Sequence, residues 1–186
     1  MSGSAVPVWM VSGPPASGKS TLAMEIARRR RAVLLDLDVL TAPLTGVLAA
    51  LLEVDDLDAA PLAQHSRAAR YETLQAVAVD NVRLGLPAVL VAPFSSERRD
   101  PVAWSRFTAP LVEAGGVPQL VWLRIPGDAL LQRMTARAAA RDRAKLTEGL
   151  EYLARADLAP PSVVHTAVDA LASTEDQLTA VDGRSP

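Results

Sequence analysis

The most informative stretch of this sequence is Gly13-Pro14-Pro15-Ala16-Ser17-Gly18-Lys19-Ser20. It fits the pattern G-x-x-x-x-G-K-[ST], in which a lysine follows the second glycine and a hydroxyl residue follows the lysine. Glycines allow backbone conformations that turn successive N–H groups inward around a phosphate. A helix that begins at such a loop adds its positive N-terminal dipole. The stretch therefore predicts a cradle for a nucleoside triphosphate.

The segments on either side of this stretch supply the required context. Val6 to Val11 is a short apolar run, which predicts a buried strand. Ser20 to Arg30 has a helix-forming composition, with Leu22 and Ile26 on one face. A strand, a glycine loop and a helix in this order are the arrangement in which the pattern binds phosphate.

Two residues of the loop have specific predicted roles. Lys19 reaches the β- and γ-phosphates, and the Ser20 hydroxyl is placed to ligate Mg²⁺. We expect ATP and Mg²⁺ as the cofactors, although no motif distinguishes ATP from GTP. The predicted nucleotide contacts within this part of the chain are Gly13, Pro14, Pro15, Ala16, Ser17, Gly18, Lys19, Ser20 and Thr21.

The rest of the chain alternates apolar strands with helices. Such alternation predicts an α/β domain with a parallel sheet that is covered on both faces. We expect a single domain over residues 1–186, in which Pro43, Gly46 and Pro61 interrupt the helical region 41–86. The further predicted strands are Ala32–Leu37, Ala88–Val91, Leu120–Ile125 and Val163–Val168, and the further predicted helices are Thr41–Leu52, Leu62–Leu84, Pro101–Ala114, Gly127–Ala144, Thr147–Ala156 and Ser173–Val181.

Composition limits the possible partners and locations. The 186 residues carry a net charge of −2, so we do not expect a nucleic-acid-binding surface, which needs clustered Lys and Arg. The run Arg28-Arg29-Arg30-Arg31 falls at the predicted end of the first helix, where the dipole favours cations. There is no basic-then-apolar leader and no apolar run of about 18 residues or more. We therefore expect a cytoplasmic protein without a membrane span.

A pair of carboxylates, Asp36 and Asp38, stands at the end of the predicted second strand. Ligands of open α/β sheets bind at the carboxyl ends of strands, and alternate strand residues share a face. One carboxylate can hold Mg²⁺ while the other deprotonates an acceptor hydroxyl. We assign Asp36 to the metal and Asp38 to the base. The alternative is that Asp38 only caps the next helix.

An arginine stripe follows the predicted fourth strand. Arg133, Arg137 and Arg141 are spaced by four residues, which places them along one face of a helix. Such a stripe can close over a triphosphate as a lid, here residues 133–147, and stabilise charge during transfer. We expect all three to contact the nucleotide and Arg137 to act in catalysis. The alternative is a solvated face paired with Asp142 and Glu148.

Together these features resemble the nucleoside-monophosphate-kinase-like branch of P-loop kinases. The resemblance rests on Gly13 to Ser20, on Asp36-Leu37-Asp38, and on the segment from Arg133 to Lys145. Within that branch the chain resembles small kinases such as chloramphenicol phosphotransferase, gluconate kinase, shikimate kinase and the zeta-toxin group. The resemblance implies a three-layer sandwich with a five-stranded parallel sheet in the order 2-3-1-4-5 and a helical lid. It also places the adenine edge near residues 169–174.

The third predicted strand departs from many P-loop enzymes. It continues as Ala92-Pro93-Phe94 and has no acidic residue at its end. Either Asp36 takes over the metal role, or ATP hydrolysis is weak. This departure argues against a motor or AAA-type ATPase and favours a kinase.

The leading hypothesis is an ATP-dependent kinase whose acceptor is a small-molecule hydroxyl, such as an antibiotic, a sugar or a nucleoside-like metabolite. The acceptor-side region 41–86 is rich in Leu, Ala and Val, so we expect an acceptor with a substantial apolar part. The alternatives are a 5′-hydroxyl nucleic-acid kinase, a zeta-toxin-like kinase of nucleotide sugars, and a nucleotide-binding regulatory module without an acceptor. The carboxylate pair and the arginine stripe argue against the last of these.

Overall fold

A parallel sheet of five strands forms the centre of the protein. The computed structural model describes residues 5–54, 60–137 and 157–183. The strands lie in the order β2-β3-β1-β4-β5, and every pairing is parallel. The predicted α/β class and the order 2-3-1-4-5 are confirmed. The strands are β1 (Val6–Ser12), β2 (Val33–Asp36), β3 (Ala88–Val91), β4 (Gly116–Arg124) and β5 (His165–Asp169).

Helices cover both faces of the sheet. Among the described residues they are α1 (Lys19–Arg30), α2 (Leu37–Leu51), α3 (Ala60–Arg83), α4 (Pro101–Glu113), α5 (Gly127–Arg137) and α6 (Thr174–Asp182). One core joins α3 and α4 to alternate strand residues such as Met10, and the other joins α1, α5 and α6 to residues such as Val11. Burial on both faces explains why the strands are continuous apolar runs. No described helix is long and apolar enough to cross a bilayer.

The second strand ends earlier than predicted, at Asp36, and α2 begins at Leu37. Asp36 caps this helix, because its Oδ1 accepts the backbone N–H of Asp38 at 3.0 Å. The strand geometry expected for Asp38 is therefore wrong, and Asp38 lies in the first helical turn. The alternative of an aspartate cap is realised by Asp36 rather than by Asp38.

Helix α2 is also longer than the predicted helix Thr41–Leu52, because it begins at Leu37, and it continues through Pro43 and Gly46. The expectation that Pro43 and Gly46 interrupt the helix is wrong. Buried residues at every fourth position, from Leu37 through Thr41 and Thr45, fix one face of α2, while Pro43 lies on the exposed face. Burial of one continuous face outweighs the local cost of the proline.

The fourth strand begins at Gly116 instead of Leu120 because it pairs with the whole length of β1. The paired residues run from Val6–Gly116 to Ser12–Trp122. The fifth strand is shifted towards the C-terminus, and its register with β4 ends at the pair Arg124–Asp169. Because all the strands are parallel, the phosphate loop, Asp36 and Asp169 lie at the same edge of the sheet, where β1, β2 and β5 end.

Candidate active site

The phosphate loop connects β1 to α1, and its glycines meet two separate requirements. Gly18 has a φ of 99°, in the left-handed region that disfavours side chains. Gly13 is limited by space, because a Cβ there would lie 3.0 Å from the Leu123 carbonyl oxygen and 2.8 Å from the Ser17 Oγ. One glycine is needed for a turn and the other for close packing against β4.

The start of α1 has the features of an anion site. Gly18 is its N-cap, no side chain caps the helix, and its first turn contains no acidic residue. The first N–H groups of a helix have no partner within the helix and carry its positive dipole end. The Lys19 Nζ donates to the carbonyl oxygens of Gly13 at 3.0 Å and Pro14 at 2.7 Å, which holds a cation at the loop. This donor set fits a bound polyphosphate.

Ser20 and Asp36 are in direct contact across the cleft. The Ser20 Oγ donates to the Asp36 Oδ2 at 3.1 Å, while the Asp36 Oδ1 caps α2. Two adjacent oxygen ligands at the phosphate loop fit Mg²⁺, which takes few protein ligands and keeps several waters. A cluster of three or more acidic or histidine groups, as a cation bound by protein alone would need, is absent from the described residues.

Asp38 is paired with an arginine of helix α3. Its carboxylate is largely exposed and lies 2.6 Å from the Arg70 guanidinium on α3. Arg70 is held in turn by the buried Thr41, whose Oγ1 accepts from the Arg70 Nε at 2.8 Å. The two carboxylates therefore point to different neighbours, Asp36 to the phosphate loop and Asp38 to α3.

Arg67 and Arg70 on α3 were not identified from the sequence. Arg67 lies over the Tyr71 ring, 4.3 Å from its centroid, and contacts the Glu97 carboxylate at 3.4 Å. Burial raises the pKa of Tyr71, whose oxygen accepts the Phe94 N–H. The i,i+3 spacing of Arg67 and Arg70 was the available signal. Because of these two arginines, the surface of α3 beside Asp38 is more polar than the composition of region 41–86 suggested.

Of the arginine stripe, Arg133 is described in full. It donates to the Ser17 carbonyl oxygen at 3.0 Å and to the Ala170 carbonyl oxygen at 2.8 Å, so it links the phosphate loop to the segment after β5. Arg137 is the last residue of α5. The side chain of Arg137, together with Arg141 and the rest of the predicted lid from residue 138 to residue 147, falls outside the described residues.

A shallow pocket lies at the carboxyl ends of β4 and β5, where the adenine edge is expected. It is lined by Arg124, Ile125, Pro126 and Asp169, and Arg124 pairs with Asp169 at 3.1 Å. The Gln177 amide donates to the carbonyl oxygens of Asp169 and Ala172. These bonds hold the backbone of the segment that follows β5.

Comparison with known families gives one match that covers most of the chain. Residues 8–159 match the family described as AAA domain, AAA_33. None of the curated proteins matches the chain.

Solved structures with similar folds include three that cover nearly the whole chain. A protein from Chloroflexus aurantiacus J-10-fl, provisionally named a kinase, has a TM-score of 0.69 at 19% identity and covers 98% of this chain and 100% of its own. A gluconokinase from Sinorhizobium meliloti 1021 has a TM-score of 0.58 at 16% identity, with 95% and 89% covered. The APS kinase of Mycobacterium tuberculosis, in complex with AMPPNP and APS, has a TM-score of 0.58 at 19% identity, with 96% of each chain covered.

The family description bears on the argument from the third strand. That strand ends without an acid, and the Pro93 carbonyl oxygen beyond it accepts from the Ser12 Oγ at 2.7 Å. This departure counted against an AAA-type ATPase, yet the matched family carries the AAA description, so the missing acid does not exclude the family. The chain has the fold of small P-loop kinases, and it belongs to the family described as AAA domain (AAA_33).

Proposed function

We propose that this protein transfers the γ-phosphate of ATP to a hydroxyl group of a small molecule. The observation that carries the proposal is the Ser20–Asp36 contact of 3.1 Å, which joins the phosphate loop to a carboxylate pair at the end of β2. Nucleotide binding by itself needs only the loop. A second carboxylate, Asp38, on the side away from the loop supplies the group that phosphoryl transfer to a hydroxyl requires.

The donor side binds and orients the triphosphate. Backbone N–H groups at the start of α1 hold the phosphate oxygens, and Lys19 moves from the loop carbonyls to the β- and γ-phosphates. Ser20 and Asp36 would hold Mg²⁺, which neutralises charge on the β- and γ-oxygens when bound. We propose that Arg133, Arg137 and Arg141 bind the nucleotide as well and that Arg137 acts in catalysis.

On the acceptor side, Asp38 accepts the proton of the attacking hydroxyl. The hydroxyl oxygen forms a bond to the γ-phosphorus, and the bond from that phosphorus to the β–γ bridging oxygen breaks. The products are the phosphorylated acceptor and ADP, and the proton resides on Asp38 until solvent removes it. Arg70 orients the carboxylate for this step through its 2.6 Å contact.

The similar structures support a small-molecule acceptor, because they include proteins named as a gluconokinase and an APS kinase. The arginines and carboxylates on α2 and α3 favour an acceptor with several polar groups. A nucleotide sugar, the acceptor in the zeta-toxin alternative, also has several polar groups and should be among the compounds tested.

The test is a ³¹P and mass-shift screen of hydroxylated metabolites, nucleotide sugars and antibiotics with Mg·ATP. We expect one class to gain a phosphate, and Asp38→Asn to reduce that transfer by about 100-fold or more with ATP affinity retained. Asp80→Asn is the matched control, because Asp80 is also exposed and arginine-paired but lies at the far end of α3. ATP hydrolysis without transfer to any compound would refute the proposal and favour a regulatory ATPase.

A further inference from the structure

One arginine near the cleft is almost completely buried. Arg98, in the loop between β3 and α4, is only 5% exposed, and its guanidinium lies 4.4 Å from the centroid of the Trp122 ring. Burial, together with the like charge of Arg99, lowers the pKa of Arg98 to about 10, so the group remains charged at neutral pH. Trp122 pairs in register with Ser12, which places this cation at the edge of the sheet where the phosphate loop starts.

Arg98 binds a segment that is distant in sequence. Its Nη2 donates to the Asp157 carboxylate at 2.6 Å and to the Asp157 carbonyl oxygen at 2.9 Å, and its own carbonyl oxygen accepts the Ser162 N–H at 2.8 Å. Arg99 adds bonds to the Asp157 carboxylate and to the carbonyl oxygens of Ala159 and Pro160. The loop 94–100 is therefore joined to residues 157–162 by side-chain and backbone hydrogen bonds.

Such an arrangement contributes more to the relative placement of the two segments than to the free energy of folding. Removing a charge from water costs free energy that an ion pair recovers only in part, so a buried pair is weak evidence for a stabilising role. The planar guanidinium, however, can donate to a carboxylate and two carbonyl oxygens at once while it stacks on an aromatic face. It restricts both segments to one relative placement.

One of the two joined segments adjoins the acceptor side of the proposed site, and the other adjoins its nucleotide side. Loop 94–100 includes Glu97, which contacts Arg67 on the acceptor side. Residues 157–162 lead into β5, and the Ala170 carbonyl oxygen just after β5 is bound by Arg133, which also binds the phosphate loop. Arg98, together with Arg99, thus joins the loop that carries Glu97 to the segment that leads into β5.

We propose that Arg98 is a positioning residue, which fixes loop 94–100, and with it Glu97 and Arg67, relative to β5 and the phosphate loop. The names of the two sides rest on the proposed function, whereas the placement of the loop does not. Arg98 acts through Glu97 and Arg67 and does not itself touch the reacting groups.

Three variants separate its properties. Arg98→Met keeps a long chain over Trp122 but removes every donor, and Arg98→Lys keeps the charge without the planar fork. Asp157→Asn removes the charge of the partner at a half-exposed position, which protects the test against misfolding of an Arg98 variant. Arg106→Met, an exposed arginine on α4, is the control.

The first readout is hydrogen exchange of the protein without any acceptor. The amides of Arg98, Arg99 and Asp100 are hydrogen-bonded within the loop, so their exchange reports its placement. We expect the loop amides to exchange about tenfold faster or more in Arg98→Met and Asp157→Asn, and to change less in Arg98→Lys. We expect no change of these amides in Arg106→Met. The amides of residues 13–20 should exchange at unchanged rates in the variants. Unchanged exchange of the loop in both Arg98→Met and Asp157→Asn would overturn the proposal.

The second readout is transfer to the hydroxyl compound found in the ³¹P screen. We expect Arg98→Met to raise the acceptor KM about fivefold or more, to keep the Kd for Mg·AMPPNP within about twofold, and to be partly rescued in Arg98→Lys. A parallel loss of nucleotide affinity and transfer would show a general structural role and overturn the positioning role. If wild-type protein transfers phosphate to no compound, the proposed function fails and hydrogen exchange alone decides the role of Arg98.

Discussion

At the scale of single residues, Gly13 shows how the phosphate loop depends on packing as well as on dihedral freedom. A methyl group there would meet the Leu123 backbone, which belongs to β4 and cannot move without disturbing the sheet. Gly46, in the middle of α2, has nothing within 4 Å of an added Cβ. Close packing therefore requires a glycine at position 13, whereas the space around position 46 does not. The sequence alone does not distinguish these two cases.

We expect Gly13→Ala to lower the free energy of unfolding by about 1–3 kcal/mol, because of overpacking against β4, and to weaken Mg·ATP binding by displacing the loop. Gly46→Ala is the matched control and should stabilise the protein by about 0.5–1 kcal/mol, since alanine is the better helix former. Urea unfolding and nucleotide titration measure both effects. Equal stability of the two variants would contradict the steric explanation.

At the scale of elements, the turn from β2 into α2 combines two roles in one side chain. One oxygen of Asp36 caps the helix, and the other contacts Ser20 at the proposed Mg²⁺ site. Asp100 and Ser173 cap α4 and α6, and within the described part of the chain their side-chain hydrogen bonds stay inside the capped helix. Position at the cleft therefore distinguishes a structural cap from a candidate metal ligand.

Asparagine and alanine at position 36 should separate these roles. Asp36→Asn keeps a good cap, so we expect nearly unchanged stability with a loss of Mg²⁺ dependence, whereas Asp36→Ala should also lose about 1 kcal/mol of unfolding free energy. Urea unfolding and a Mg²⁺ titration of ATP turnover are the measurements. Ser173→Ala controls for loss of a cap alone. Unaltered Mg²⁺ dependence in Asp36→Asn would remove Asp36 from the metal site.

At the scale of the whole molecule, two hydrophobic cores lie on opposite faces of one sheet. The core with α3 and α4 supports the helix that holds Arg67 and Arg70, and the core with α1, α5 and α6 supports the phosphate loop and Arg133. A nucleotide bound in the proposed site would contact elements from several parts of the chain. Its binding should therefore stabilise the fold as one unit.

We expect Mg·AMPPNP at 100 times its Kd to stabilise the protein by about 2.7 kcal/mol, which corresponds to a rise in Tm of roughly 5–10 °C for a chain of this size. Lys19→Ala should remove most of this rise, and EDTA should reduce it. Calorimetry with each addition is the measurement. A Tm that does not respond to nucleotide in wild-type protein would contradict the proposed donor site.

Much of the fold and of the donor site follows from local sequence patterns. The phosphate loop is recognisable because its function depends on backbone conformation within eight adjacent residues, Gly13 to Ser20. The buried strands are recognisable because both of their faces are covered. The strand order came with the family resemblance rather than from any of these patterns.

The surroundings of Asp38 and the contacts between distant elements depend on tertiary structure. Asp36 pairs with Val91, the last residue of β3, so the ladder ends there and Asp38 enters a helix instead of a strand. Arg70 reaches Asp38 across 32 positions, and Arg98 reaches Asp157 across 59. The sequence by itself determined the phosphate cradle and the parallel α/β architecture, because each rests on neighbouring residues. Only the tertiary structure decided which groups surround Asp38 and Arg98, because contacts between distant segments leave no fixed spacing in the sequence.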